Sequence, residues 1–289
     1  EELATIGNSI VCVQDEDLVK VHVHTLEPAT AIKMGKRQGR FMKLKVENMS
    51  DQHDEILSKE KEETEELVSE HKKYGLIAVA AGDGIRDMFK DLRVDVVISG
   101  GQTMNPSTED FIAAIEKMNC DTIFVFPNNS NIIMAAQQAG DVLEDRDIRV
   151  LPTKTIPQGL AACIMFNPDA DAEANQAEME DAIAEVKSGE VTYAIKDTTY
   201  EGLDIKAGEY MGIFGKAIVT SQPDMMEASK ELLRQMVDED TELVTLIYGE
   251  DAMKEQAEEL AAFVEEISPA EAEIYNGKQP VYSFIIGVE

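Results

Sequence analysis

The sequence has no tryptophan, three cysteines and far fewer basic than acidic residues. Cys12, Cys120 and Cys163 are odd in number and far apart, which argues against a disulfide framework and favours a reducing, cytoplasmic compartment.

Lys and Arg total 26 against 57 Asp and Glu, which gives a net charge of −31. We therefore expect no basic surface that could bind nucleic acid or anionic membranes. No apolar run approaches the roughly 20 residues of a transmembrane helix. The excess of acid favours solubility, or alternatively an acidic face for a basic partner.

Catalytic motifs are also missing from the larger part of the chain. All four histidines lie before residue 73, so nothing beyond that point offers an imidazole for general base work or metal binding. There is no phosphate-binding loop of the Gly-x-x-x-x-Gly-Lys type, no nucleophile elbow and no CxxC pair. Gly82-x-Gly84 lacks the third glycine of a dinucleotide fingerprint. We therefore expect a region without catalytic residues of its own.

The first 50 residues predict an incomplete α+β module. Ser9–Val13 and Leu18–Val23 alternate apolar and polar residues around an acidic turn, which indicates a hairpin. A helix is expected over Ala29–Gly39 and a strand over Phe41–Val46. These elements are too few to bury a core. The start at Glu1, without methionine or a signal peptide, leads us to expect a fragment of a longer protein.

Residues 51–72 differ in composition and predict a solvated linker helix, because helix-forming charged residues accompany a thin apolar stripe. From residue 73 the pattern becomes strand, loop, helix, repeated, which predicts a parallel, right-handed sheet covered on both faces. After about residue 155, strand-like runs at Glu190–Asp197, Leu203–Ile205 and Glu209–Thr220 suggest an antiparallel meander. The predicted fold is thus α/β, with a parallel α/β lobe at 73–155 and an α+β lobe at 156–289.

The polar loops that follow the predicted parallel strands form the main candidate site. Carboxyl ends of parallel strands meet at one sheet edge, where α/β proteins commonly receive ligands or partners. The candidate ligand- or partner-binding residues are Asp83, Gly100, Gly101, Gln102, Thr103, Asn105, Asn128, Asn129 and Ser130. Their backbone N–H groups and side-chain amides could hold an anion or a polar group. The alternative is that Asn, Ser, Thr and Asp are present only as helix caps.

A second candidate site is the Val21-His22-Val23-His24 run. Residues two apart on a strand share a face, so His22 and His24 could supply two ligands of a tetrahedral zinc site. A third ligand is needed, and Cys12 on the neighbouring strand is a candidate by proximity alone. The alternative is a polar strand face with two surface histidines.

Four segments, in this order, resemble the bacterial family of fatty acid kinase catalytic subunits, which has also been described as dihydroxyacetone-kinase-like or Dak phosphatase. They are Lys20–Thr25, Val46–His53, Gly100–Thr108 and Pro127–Asn131. The resemblance covers nearly the whole chain. It implies that residues 1–50 are the end of a middle domain, 51–72 a linker helix, and 73–289 a DegV-like C-terminal domain.

The resemblance further implies a kinase whose ATP- and magnesium-binding domain lies before this chain, so that the fragment is not catalytic alone. It implies zinc held by His22, His24 and a cysteine upstream of Glu1. It also implies a cytoplasmic homodimer that works with a separate fatty-acid-binding DegV-family subunit. Fatty-acid-binding relatives carry Thr-Asp-Ser where this chain has Ala81-Gly82-Asp83-Gly84. We therefore expect a docking platform, with a DegV-type lipid- or small-molecule-binding module as the alternative.

Overall fold

The computed structural model describes residues 7–15, 18–25, 28–38, 71–101 and 105–289. The chain divides into two compact units, Glu1–Glu63 and Thr64–Glu289. In the first unit, β1 (Gly7–Asp15) and β2 (Leu18–Thr25) form an antiparallel hairpin that closes with Asp15 opposite Leu18.

The hairpin confirms the prediction from alternating residues, and α1 (Pro28–Gln38) follows it as expected. Proline suits the first position of α1, and Lys36 and Arg37 in its last turn complement the helix dipole. The predicted strand Phe41–Val46 lies outside the described residues, and so do residues 51–70 of the linker helix expected over 51–72. Lys72, at the end of that expected helix, belongs to a strand instead.

The second unit begins with a strand–helix series. Its strands are β3 (Lys72–Ala80), β4 (Val96–Ser99), β5 (Cys120–Phe126) and β6 (Asp147–Val150). Its helices are α2 (Asp83–Asp91), α3 (Thr108–Glu116), α4 (Ile133–Val142), α5 (Ile156–Met165) and α6 (Ala172–Glu185). The strands form a fully parallel sheet, as predicted, and their order in the sheet is β4-β3-β5-β6. The first strand starts at Lys72, earlier than its apolar run suggests, because Lys72 pairs with Cys120.

Both faces of this sheet are buried, which explains why β3, β4 and β5 consist mainly of continuous apolar runs. Ile77, Val79 and Val125 face a cluster that includes residues of α3 and α4. Alternate residues such as Phe124 and Phe126 face a second cluster that contains residues of α2, α5 and α6. The prediction of a doubly covered sheet is confirmed.

The remaining strands form a mixed sheet and a small hairpin. These strands are β7 (Lys187–Tyr193), β8 (Thr198–Tyr200), β9 (Leu203–Ile205), β10 (Tyr210–Phe214), β11 (Ala217–Gln222), β12 (Leu243–Tyr248), β13 (Glu271–Asn276) and β14 (Tyr282–Val288). Two helices, α7 (Met225–Met236) and α8 (Lys254–Ile267), pack on the mixed sheet. The six-stranded order is β11-β10-β7-β14-β12-β13, and β8 pairs only with β9. The single run predicted at Glu209–Thr220 is two strands, because the chain reverses at Gly215 (φ +60°).

One buried cluster joins the two sheets. It contains Phe124 of the parallel sheet, Phe89 of α2, Leu160 of α5, and Ile247 and Ile285 of the mixed sheet. The core between the sheets is therefore made of large apolar side chains. No helix in the described parts of the chain is long and apolar enough to cross a membrane.

Candidate functional site

Three loops meet at the carboxyl edge of the parallel sheet. They follow β3, β4 and β5, which are neighbours in the sheet. Of the predicted residues in these loops, Gln102 and Thr103 lie outside the described residues. The others have distinct roles.

Asn128, directly after the central strand β5, ties this edge together. Its backbone is left-handed (φ +58°), a conformation that asparagine tolerates better than most residues. Its N–H donates to Thr153 Oγ1 (3.0 Å), and its Nδ2 donates to the Val79 carbonyl of β3 (3.0 Å). Its Oδ1 is buried and has no hydrogen-bond partner within the described part of the chain. A Cβ on Gly159 of α5 would lie 2.1 Å from this oxygen. Asn128 is thus fixed between β3, the segment after β6, and α5.

Asn129 links two of the loops. Only 7% of Asn129 is exposed, and its Nδ2 lies 3.5 Å from Oδ1 of Asn105 in the loop after β4, at the upper limit of a hydrogen bond. Its own Oδ1 accepts the N–H of Asn131 (2.9 Å). Asn105 and Ser130 are exposed. The structure therefore brings the Asn105 and Asn129 side chains together at this edge, beside the exposed Ser130. That these residues bind a ligand or a partner stays a prediction.

Some of the remaining polar groups are helix caps. Ser107 and Asp110 form a full capping box at the start of α3, so the first turn of that helix is satisfied internally. The first turn of α4 has no side-chain cap, because its N-cap residue is Ile132. The alternative that polar residues in these loops serve as helix caps therefore applies to the start of α3. It does not apply to the N-cap position of α4.

Glycines at this edge permit close packing. The Gly100 N–H donates to the Ala80 carbonyl (3.1 Å), and a Cβ on Gly101 would lie 2.9 Å from Ala81 Cβ. Asp83, in contrast, is 73% exposed at its side chain and pairs with Arg86 of its own helix (3.4 Å). Among the described residues, no hydrogen bond joins Asp83 to the asparagine pair.

A turn from the mixed sheet closes this edge next to α2. Gly82 has φ +97°, and a Cβ there would lie 2.5 Å from the Gly277 carbonyl oxygen. The Ile85 N–H in the first turn of α2 donates to that same oxygen (3.1 Å). The sequence does not predict this turn or its buried residue Gln279, because no local pattern connects them with residues so much earlier in the chain.

The groups most capable of chemistry do not lie in these loops. Burial raises the pKa of the Cys163 thiol, and burial with nearby Asp95 raises the pKa of Cys120 to about 11, so neither is an activated thiolate. His71 pairs with Asp121 (3.0 Å) at the starts of β3 and β5, the opposite end of the sheet. Burial raises the pKa of Glu190, which sits within β7 and is hydrogen-bonded by Tyr282.

The zinc prediction concerns the first unit. The backbone of His22 and His24 is described in β2, whereas their side chains lie outside the described part of the structure. Across the described residues, no group of three or more His, Cys, Asp or Glu side chains is arranged to hold a metal ion.

The fold is similar to that of DegV-family proteins. A DegV family protein from Corynebacterium glutamicum aligns with 75% of this chain and 96% of its own, at a TM-score of 0.58 and 14% identity. A hypothetical protein from Thermotoga maritima with a fatty acid binding function aligns with 76% of this chain and 99% of its own (TM-score 0.56, 13% identity). The dihydroxyacetone kinase of C. freundii aligns over 75% of this chain and 48% of its own (TM-score 0.51, 12% identity). At these identities the likeness concerns the fold alone.

Sequence comparison then defines the family. Residues 75–289 match the C-terminal domain of the FakA-like family of fatty acid kinase subunits, and residues 1–56 match its middle domain. The chain therefore belongs to the FakA-like family. Protein YloV of Bacillus subtilis is 47% identical over all of this chain and 52% of its own length. An uncharacterised Staphylococcus aureus protein is 41% identical over all of this chain and 53% of its own. The chain spans about half the length of these curated relatives.

Proposed function

We propose that this chain is the non-catalytic part of a fatty acid kinase and docks the partner that carries the fatty acid. The observation that carries the proposal is the polar edge formed by Asn105, Asn129 and Ser130, at the position where α/β proteins receive ligands and partners. Amide and hydroxyl groups there suit recognition, and neither cysteine of the second unit is activated. A docking platform needs groups that bind a partner and does not need an activated nucleophile.

Packing between the two sheets favours docking over lipid binding. Ile85, Leu160, Ile247 and Ile285 belong to one buried cluster that joins the sheets. An acyl chain placed among them would have to displace side chains that are already close-packed, which cores tolerate poorly. A lipid- or small-molecule-binding module remains the second candidate, because the fold matches that of DegV proteins with fatty acid binding.

The chemistry would then come from the rest of the protein. We propose that an ATP- and magnesium-binding domain before this chain transfers the γ-phosphoryl group to the acyl carboxylate held by the partner. The docked chain would contribute by positioning, which is a large part of phosphoryl-transfer catalysis. We propose a cytoplasmic homodimer as the working form.

We also propose that His22 and His24 hold zinc in the complete protein. Both residues lie on β2 two positions apart, so they share one face of the hairpin. The register pairs Cys12 with Val21, which assigns Cys12 to the other face from His22. The third ligand is therefore expected from outside the hairpin, in keeping with a cysteine upstream of Glu1.

Zinc content per chain of the full-length protein tests this proposal. His22→Ala should lower the zinc content, and His71→Ala, which changes an exposed histidine of the second unit, should leave it unchanged. Equal zinc content in the wild type and both variants would refute the assignment.

Calorimetric titration tests the docking proposal. This chain and the full-length protein are each titrated with the fatty-acid-binding partner, and both should bind. Asn105→Ala should weaken binding by about fivefold, as expected for loss of roughly 1 kcal/mol at an interface. Asn119→Ala is the matched control, since Asn119 is exposed just before β5, at the other end of the sheet.

Two results would contradict the proposal. One is no heat from this chain under conditions where the full-length protein binds. The other is ATP-dependent turnover by these 289 residues alone. Native mass spectrometry addresses the second candidate, because a co-purified acyl chain would favour a lipid-binding module.

A further inference from the structure

The turn between β13 and β14, residues 276–281, is fitted closely between the two sheets. A Cβ added to any of four glycines, three around the turn and one within it, would lie within 2.5 Å of a turn atom or of Tyr282 next to it. These glycines are Gly82, Gly84, Gly249 and Gly277. Glycines at the start of α2 and in the segment after β12 thus lack the Cβ atoms that would collide with the turn, which lets it pack closely against both segments.

Hydrogen bonds hold the turn from both sides. Its Gly277 carbonyl accepts the Ile85 N–H of α2 (3.1 Å), and its Gln279 carbonyl accepts the Glu250 N–H (3.1 Å). The Gln279 side chain is 2% exposed, and its Nε2 donates to the Ile247 carbonyl (3.0 Å) and the Tyr282 carbonyl (3.3 Å). The turn is therefore the direct connection between the first turn of α2 and the mixed sheet.

The same turn contains three unfavourable features. Lys278 (φ +49°) and Val281 (φ +74°) are left-handed, and such a backbone is a genuine outlier for a β-branched residue. Oε1 of Gln279 is buried, and no described residue forms a hydrogen bond with it. Most of the turn is also exposed, namely Asn276, Lys278, Pro280 and Val281. A strained segment with much exposed backbone is suited to open locally before the surrounding sheets do.

We propose that residues 276–281 form a latch that opens as a unit, separating α2 from the mixed sheet while both sheets stay folded. Closed, the latch covers Ile85 and Ile247 of the core between the sheets. Open, it uncovers this apolar layer and frees the Ile85 N–H. The proposal does not depend on the docking function.

Native-state hydrogen exchange of the wild-type chain is the first test. The Ile85 and Glu250 amides lie in different elements but donate to the same turn. A latch predicts equal free energies of opening for these two amides, lower than those for amides of the central strand β5. Protection equal to that of β5 would overturn the proposal, because the turn would then open only with the sheets.

Two variants should shift the latch in opposite directions. Lys278→Asn relieves left-handed strain at an exposed position, so exchange of both amides should slow about three- to tenfold. Gln279→Ala removes two hydrogen bonds of the turn, so exchange should accelerate about tenfold and binding of the apolar dye ANS should rise.

Gln138→Ala is the matched control, because it removes one hydrogen bond of an exposed glutamine on α4, away from the turn. It should change neither amide. If Lys278→Asn and Gln279→Ala each alter exchange of the Ile85 amide and of the β5 amides by the same factor, the turn opens only with the core and the latch is refuted. Should Gln279→Ala fail to fold, the wild type and Lys278→Asn still decide the matter.

Discussion

Replacing Gly159 with alanine tests whether Asn128 is held as rigidly as its contacts indicate. Gly159 lies inside α5, where alanine is ordinarily favoured by about 0.5–1 kcal/mol. Here the added Cβ would lie 2.1 Å from Asn128 Oδ1 and 2.9 Å from its Nδ2. The carboxamide cannot retreat freely, because its Nδ2 donates to the Val79 carbonyl and the residue is 7% exposed.

The expected magnitude follows from these contributions. Displacing the amide breaks a buried hydrogen bond, at about 1–3 kcal/mol, and overpacking adds about 1–3 kcal/mol. After the helix gain is subtracted, Gly159→Ala should lower the free energy of unfolding by about 1–5 kcal/mol, centred near 3. Gly140→Ala in α4 is the control, since its Cβ would meet Ile148 at an ordinary 3.5 Å. It should be neutral or stabilising.

Urea denaturation of both variants and of a double mutant completes the experiment. Asn128→Gly keeps the left-handed backbone accessible and removes the colliding amide, so Gly159→Ala should be tolerated in that background. A coupling free energy of about 2–3 kcal/mol is expected for such a contacting pair. If Gly159→Ala, made in the wild-type background, stabilises the protein as Gly140→Ala does, then the Asn128 side chain is not held rigidly and the reasoning is refuted.

Three further predictions concern buried groups. Gly84→Ala should lower the free energy of unfolding by about 2 kcal/mol or more, because its Cβ would lie 1.8 Å from the Asn276 carbonyl oxygen and both colliding groups belong to backbone that cannot easily move. Thermal unfolding measures this loss, and a stability equal to that of the wild type would contradict the prediction. Glu190→Gln should raise the free energy of unfolding by about 1 kcal/mol at neutral pH and should have no such effect at a pH below the normal carboxyl pKa. The reason is that burial raises the pKa of Glu190, so the stability that its protonated form contributes is lost as the pH rises. A difference between variant and wild type that does not change with pH would contradict this prediction. The pKa of Cys120 is raised from 9.0 to about 11, so the stability of the wild type relative to Cys120→Ala should fall as the pH rises between these values. Unfolding of both proteins measured at pH 8 and at pH 11 tests this prediction. The same stability difference at both pH values would disprove it.

Local sequence patterns were sufficient for the parallel sheet and for part of the edge. Strands β3, β4 and β5 contain short apolar runs followed by polar loops, and such runs are typical of strands that are buried on both faces. The meeting of Asn105 and Asn129 followed from topology, because parallel neighbouring strands end at one edge. These features follow from periodicity and connectivity alone.

Features that depend on contacts between distant residues could not be predicted. The left-handed Asn128 needs Thr153 and Gly159, and neither residue carries a local signal for that contact. The split of Glu209–Thr220 into two strands occurs at Gly215, within a run whose alternation continues on both sides. The turn at residues 276–281 is set by glycines near residue 83, so only the folded chain shows their relation.

The position of β14 has a consequence for synthesis. This strand, the last in sequence, lies in the middle of the mixed sheet between β7 and β12, which are not neighbours of each other. Both must wait with an open edge until Val288 leaves the ribosome. About 100 residues separate the start of β7 from the end of β14, so at ~5–20 residues per second the edge of β7 stays open for roughly 5–20 s. The wait of β12, which ends at Tyr248, is shorter. During that interval the nascent chain would be a natural client for chaperones that shield unpaired strands.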